Sequence, residues 1–180
     1  MTQISILGCG WLGLPLAKAL LKKGFLVKGS TTSMEKIPLI KTAGIEPFII
    51  QLEEEKISES ITDFLADSQI LIVDIPPKLR GNSNENFVAK IATLIPFIEK
   101  STIDKVLFVS STSVYGEDNE LVTEATPLNP DSEGGRQLAI VESLLQKNSC
   151  FETTILRFGG LIGQDRNPVR FLSGRENIEN

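Results

Sequence analysis

The chain predicts an α/β fold of the doubly wound parallel-sheet class, and three observations carry that expectation. Short apolar runs alternate with helical stretches along nearly all of its 180 residues. The first run, Ile4-Ser5-Ile6-Leu7, ends directly in GCGWLG (Gly8–Gly13) and opens into an apolar helical stretch. The run Gln69–Ile75 is so uniformly apolar and β-branched that it reads as a strand buried on both faces, which is the habit of parallel sheets.

Taken in order, Ile4–Leu7 is the first strand and Leu12–Lys23 the first helix, stopped by Gly24. Pro15 stands near enough to the helix start to be tolerated. Phe25–Gly29 is a second strand. Ser33–Thr42 is helical with an interruption at Pro38, and Gly44 ends it. Pro47–Leu52 gives the third strand and Ile57–Ala66 an amphipathic helix. After the fourth strand, Gln69–Ile75, Pro76-Pro77 stops the chain abruptly. Asn84–Glu99 forms a helix capped by Asn82 or Ser83. Lys105–Ser110 is the fifth strand, followed by a long polar segment from Ser111 to Asp131. The helix Ser132–Lys147 carries an apolar stripe of Leu138, Val141, Leu144 and Leu145. Thr153–Phe158 is the sixth strand, after which Gly159-Gly160 and Gly163 break the pattern. Six strands joined by helical crossovers make a doubly wound sheet.

Composition narrows the function classes. Hydrophobic residues at 41% and charged residues at 23% are ordinary for a globular domain. A formal charge of −5 with no run of Lys or Arg argues against a nucleic-acid-binding surface. The cysteines Cys9 and Cys150 form no C-x-x-C and fit a reducing compartment. The N-terminal apolar stretch lacks the basic start of a signal peptide and is broken by glycines. No apolar stretch approaches the ~20 residues of a membrane span, so a cytoplasmic protein without membrane contact is expected. The chain has no histidine, which removes His-based proton transfer, His-containing triads and most metal sites. Its single tyrosine is Tyr115.

In the strand–GCGWLG–helix arrangement each glycine has a physical task. Gly8 permits the turn off the strand, Gly10 lets a pyrophosphate approach the backbone, and Gly13 lets the helix lie close to the sheet. The unpaired N–H groups at the helix start sit at the positive end of its dipole and suit a phosphate. The alternative is a strand–helix turn with no ligand.

Three further stretches, VLFVSSTSVYG (Val106–Gly116), TEATPLNPDSEGGRQLAIVE (Thr123–Glu142) and ILRFGGLIG (Ile155–Gly163), complete a resemblance. Together with GCGWLG they resemble the extended short-chain dehydrogenase/reductase superfamily, in its NAD-dependent epimerase/dehydratase group. The resemblance is greatest to the atypical branch of nucleoside-diphosphate-sugar epimerase-like proteins. It implies a Rossmann domain at residues 1–160, the start of an incomplete substrate-binding lobe at 161–180, and a helix-mediated homodimer. Apolar residues of that last segment, Leu161, Ile162, Val169, Phe171 and Leu172, are then expected to lack full cover. The resemblance also implies that Ser111 polarises a substrate hydroxyl or carbonyl; the alternative is a turn-forming hydroxyl. The absence of acidic residues at Thr112-Ser113 disfavours dehydration. The superfamily's Y-x-x-x-K pair falls on Gly134 and Leu138, neither of which titrates. Tyr115 does not replace it, and Arg136 is no ready proton donor.

The cofactor is read from the second strand's end, where an NAD site places an acid. Here Lys28-Gly29-Ser30-Thr31-Thr32-Ser33 offers none before Glu35, and Lys36 follows. Hydroxyls and a lysine suit a 2′-phosphate, so NADP(H) is preferred over NAD(H). The expected cofactor-binding set is Gly8, Gly10, Trp11, Leu12, Gly13, Ser30, Thr31, Thr32, Lys36 and Pro76. Asp74 is expected to order the turn before the prolines rather than to act in catalysis. Two function classes remain open. One is an oxidoreductase or epimerase acting on a small nucleotide-sugar-like substrate; the other is a catalytically silent dinucleotide-binding regulatory or scaffold module. A methyltransferase leaves the V-Y-G segment unexplained.

Overall fold

The computed structural model describes residues 1–77, 85–116, 121–163 and 165–174, with Arg170 and Phe171 described by backbone alone. Strands β1 (Gln3–Leu7), β2 (Leu26–Thr31), β3 (Glu46–Ile49), β4 (Ile70–Val73), β5 (Lys105–Ser111) and β6 (Glu152–Phe158) form one sheet. Every pairing is parallel, in the order β3-β2-β1-β4-β5-β6. The chain winds outward from β1 to β3 and then returns to β4 beside β1. That reversal opens a crevice at the C-terminal ends of β1 and β4, where doubly wound folds take ligands.

Helices α1 (Gly13–Lys22), α2 (Ile37–Thr42), α3 (Ile61–Leu65), α4 (Phe87–Glu99), α5 (Glu133–Gln146) and α6 (Val169–Leu172) complete the chain. Strand alternation divides the core. Ile4, Ile6 and Ile72 pack with Ala17 of α1 and Ile40 of α2. Leu7, Leu71, Val73 and Phe108 pack on the other face with Ile91 and Leu94 of α4 and Val141 and Leu145 of α5. Ser5 shares that second face, and its hydroxyl bonds the Phe64 carbonyl at 2.6 Å. None of the helices in the described residues is long and apolar enough to cross a membrane.

Several boundaries differ from expectation, each for a local reason. Pro38 opens α2 rather than interrupting a longer helix, because a proline at the first turn forfeits no helical hydrogen bond; a 3-10 turn, Met34–Lys36, precedes it. The expected helix Ile57–Ala66 shrinks to α3. Leu52 and Ile57 are joined instead by an antiparallel bridge, and Glu53 N–H donates to the Lys56 carbonyl. Helix α4 starts at Phe87 and is capped by Asn86, whose side chain accepts from Ala89 N–H at 2.9 Å; Asn82 and Ser83 lie outside the described residues. Strand β2 runs on through Ser30 and Thr31, which buries both. Residues 169–172, within the segment read as the start of a further lobe, form the short α6.

Candidate functional site

The β1–α1 turn is held by its own backbone at two of its three glycines. Gly8 has φ +109°, a left-handed value, and a Cβ there would collide with the Asp74 backbone oxygen. A Cβ on Gly13 would collide with the Gly8 carbonyl. Gly10 is different: a Cβ there would meet nothing within 4 Å. The space it leaves open belongs to two adjoining clefts that both include Gly10, Asp74, Ile75 and Pro76.

The first cleft, about 250 Å³, lies over the end of β2. It is lined by Gly8, Gly10, Ser30, Thr31, Thr32, Lys36 and Pro76 from the expected set. Ile50, Leu52, Glu85, Phe87 and Lys90 join them, because the Leu52–Ile57 bridge and the start of α4 fold over this edge. Sequence periodicity gave no sign of these. The Ser30 hydroxyl accepts from Gly8 N–H at 2.9 Å, and its carbonyl takes Cys9 N–H at 2.7 Å, so Ser30 ties β2 to the turn. Thr31 Oγ1 accepts from Ser33 N–H at 3.2 Å. Lys28 points elsewhere: its buried ammonium donates to the Asp63 and Ala66 carbonyls at the end of α3.

The second cleft, about 390 Å³, lies between the turn and β5. Trp11, Leu12, Pro77, Ser110, Ser111, Leu138 and Arg166 line it together with the shared residues. Ser111 closes β5 and caps the 3-10 turn Thr112–Val114, its Oγ accepting from Ser113 N–H at 3.2 Å. Its own O–H remains to donate. Leu138 is buried in the cleft wall. Arg136 is spent on the surface, bonding Glu133 at 3.0 Å and the Asp131 carbonyl at 2.9 Å.

Asp74 stands in both clefts just beyond β4. Burial pushes its carboxyl up to about 6, opposed by the Gly13 N–H that it accepts. The side chain therefore pins the start of α1 to the end of β4. Behind Ser111 lies a network that sequence reading missed. Glu142, buried on α5, accepts from Ser110 Oγ at 2.6 Å and from Arg157 Nη2 at 2.7 Å. Arg157 Nη1 also donates to Tyr115 Oη at 2.6 Å, so the single tyrosine is a fixed strut. The bond to Glu142 holds the guanidinium protonated well above its ordinary range. The only sequence sign was an arginine inside the apolar run of β6.

A six-stranded 3-2-1-4-5-6 sheet with a glycine turn at its switch point defines a Rossmann domain. The chain belongs to the NAD-dependent epimerase/dehydratase family, whose profile matches residues 4–175. It is 34% identical over 176 residues to Protein YeeZ of Escherichia coli K12, covering 97% of this chain and 64% of that protein. It is 25% identical over 189 residues to a UDP-glucose 4-epimerase of Dictyostelium discoideum, covering 90% of this chain and 55% of the relative. The chain thus spans less than two thirds of both lengths. In fold it is similar to UDP-glucuronic acid 4-epimerase of Bacillus cereus solved with NAD, with TM-score 0.73 and 22% identity, covering 93% of this chain and 60% of that one.

Proposed function

We propose that the chain binds a nicotinamide dinucleotide across the Gly8–Gly13 turn, NADP(H) in preference to NAD(H), and turns over standard sugar nucleotides very slowly or not at all. The observation that carries the binding reading is Gly10. The protein's own packing requires glycine at positions 8 and 13 and leaves position 10 facing open space, so its glycine is explained by a ligand that approaches the backbone. The family and the NAD-bound neighbour support the same ligand class. Such a cofactor brings hydride-transfer chemistry when bound.

The residues divide the work. Just ahead of α1, the backbone N–H groups of Trp11 and Leu12 have no acceptor among the described residues, whereas those of Gly13, Leu14 and Leu16 are taken by Asp74, Gly10 and Leu12. Thr32 and Lys36 line the first cleft where a 2′-phosphate suits them, and Pro76 shapes the wall between the clefts. Ser111 offers a donor to a substrate oxygen. The proton-shuttling pair that the resemblance implies has no titratable counterpart at its two positions. Leu138 occupies the second cleft where the resemblance sets a lysine, and Gly134 stands in for the tyrosine. A missing acid–base group costs ~10²–10⁴-fold in rate.

A second reading, an oxidoreductase or epimerase working through Ser111, is favoured by that hydroxyl's free proton and by the epimerase among the relatives. In either reading, residues from 161 onward begin a substrate-binding lobe. Calorimetry with NADPH and NADH tests the binding claim, with Lys36→Ala expected to weaken NADPH about tenfold and leave NADH unchanged. Equal affinity of the unaltered protein for both cofactors removes the NADP preference. Robust turnover of UDP-sugars that Ser111→Ala abolishes selects the second reading.

A further inference from the structure

The segment after β6 is fastened to the glycine turn through one side chain. Trp11 Nε1 donates to Asp165 Oδ1 at 2.6 Å. The Arg166 guanidinium lies over the indole, 4.1 Å from the ring centroid. Gly163 sits so close to the ring that a Cβ there would collide with Trp11 Cζ2. Backbone bonds between Gly163 and Arg166, at 3.1 and 3.5 Å, close this small bridge.

Trp11 is part of neither hydrophobic cluster. Its contacts therefore serve placement rather than core packing, and what they place is Arg166. Among the described residues lining the second cleft, Arg166 is the one cation and Asp74 the one anion. The indole face is the only side-chain partner of Arg166 among the described residues. A guanidinium stacked by its face keeps its in-plane N–H fork free, and that fork matches a phosphate. Held on Trp11, it loses little conformational freedom when an anion arrives.

We infer that Arg166, carried on the Trp11 indole, binds the pyrophosphate of a dinucleotide seated on the Gly10–Gly13 turn, with Gly163 and Asp165 as positioning residues. The inference rests on the dinucleotide reading of that turn. It gives the segment after β6 a task in cofactor retention as well as in any substrate lobe. It also places the compensating charge beside Asp74, in a chain whose net charge of −5 otherwise repels anions.

Trp11 is the only tryptophan, so its emission reports on this site directly. The test titrates the full chain with NADPH, with ADP-ribose and with UDP-glucose, by Trp11 fluorescence and by calorimetry, at low and high salt. Arg166→Gln should weaken NADPH and ADP-ribose alike by about tenfold or more, the gap narrowing as salt screens the charge. Arg166→Lys should recover part of the loss. Gly163→Ala, which displaces the bridge and keeps the arginine, should reproduce it. Unfolding midpoints confirm that each variant folds. Unchanged NADPH and ADP-ribose affinity in Arg166→Gln overturns the assignment. So does a loss confined to UDP-glucose, which would make Arg166 a substrate-phosphate residue. If the unaltered chain binds neither NADPH nor ADP-ribose, the dinucleotide reading itself falls and this inference with it.

Discussion

Two strand-to-helix connections at the ligand end of the sheet, β1–α1 and β5–α5, each pack a glycine against backbone and carry different chemistry. At β1–α1, Gly8 and Gly13 are packed against backbone and Asp74 pins the helix start. At β5–α5, Gly135 is packed against the Ser113 carbonyl and Pro130, Ser132 caps the helix by accepting from Gly135 N–H at 3.1 Å, and the Glu142–Arg157–Tyr115 network braces the rear. The first turn keeps an opening at Gly10, where the proposed dinucleotide would approach the backbone. The second keeps its scaffold and Ser111, while Leu138 fills the wall where a proton relay would stand. Packing constraints and chemical constraints are thus separable on one sheet.

The largest effect should come from breaking the second turn's brace. Arg157→Met strands the Glu142 carboxylate, whose side chain is 1% exposed, without a cation. Removing one partner of a buried pair costs about 3–5 kcal/mol. At about 2–4 °C of unfolding midpoint per kcal/mol, calorimetry should register a drop of roughly 10 °C. Dinucleotide affinity of the folded protein should hold, because the first turn does not depend on this network.

Next in size is the first turn itself. Gly10→Val should cut NADPH affinity at least ~100-fold, about 2.7 kcal/mol, with the unfolding midpoint unchanged. Gly13→Ala should do the reverse and lower stability by about 1–3 kcal/mol through overpacking. If Gly10→Val destabilises the fold and leaves binding intact, the contrast between the glycines is wrong.

A smaller, pH-dependent effect belongs to Asp74. Its folded pKa, about 6, lies above the ordinary 3.8, so burial favours the neutral form. Its contribution to stability is fully present below about pH 4 and is lost as pH rises through 6. Asp74→Asn should therefore gain on the unaltered protein in unfolding midpoint as pH goes from 4 to 8. NADH affinity should tighten severalfold as pH falls through 6, and the substitution should flatten that profile; NADH avoids the 2′-phosphate, which itself titrates near pH ~6. Smallest of all, Ser111→Ala should change dinucleotide affinity less than about twofold, since its hydroxyl is proposed to serve a substrate oxygen rather than the cofactor.

The six strands and the glycine turn were legible in the sequence because both are local signals: β-branched runs, and a G-x-G-x-x-G placed between a strand and a helix. Gly8, Gly10, Ser30 and Lys36 do line one cleft and Trp11, Leu12 and Ser111 another, as their positions at strand ends dictate. What escaped depends on contacts across long sequence separations. Trp11 meets Asp165 and Arg166 over some 150 residues of chain, and no periodicity encodes that. Glu142 reads as a solvated helix residue until Arg157 is found beside it. The α4 cap was misjudged because Asn82, Ser83 and Asn86 all carry capping side chains, and only Phe87 docking into the core selects the last.

The same contacts set where the chain should yield to proteases. Ile162 is 71% exposed and Val169 67%, as expected of apolar residues without full cover. The anchorage of Asp165 and Arg166 on Trp11 sets the expected limit of trimming beyond Arg166.

Cys9 gives this molecule an internal clock. It lies buried behind the glycine turn, packed against Gly29, and burial and the nearby Asp74 push its thiol up to about 11. Cys150 is exposed. An alkylating reagent will take Cys150 at the speed of an open thiol and reach Cys9 only in the moments when the packing of α1 and α2 over Gly29 opens. The ratio of the two rates counts how often the floor of the cleft comes apart, and any molecule resting on that floor will slow the second hand.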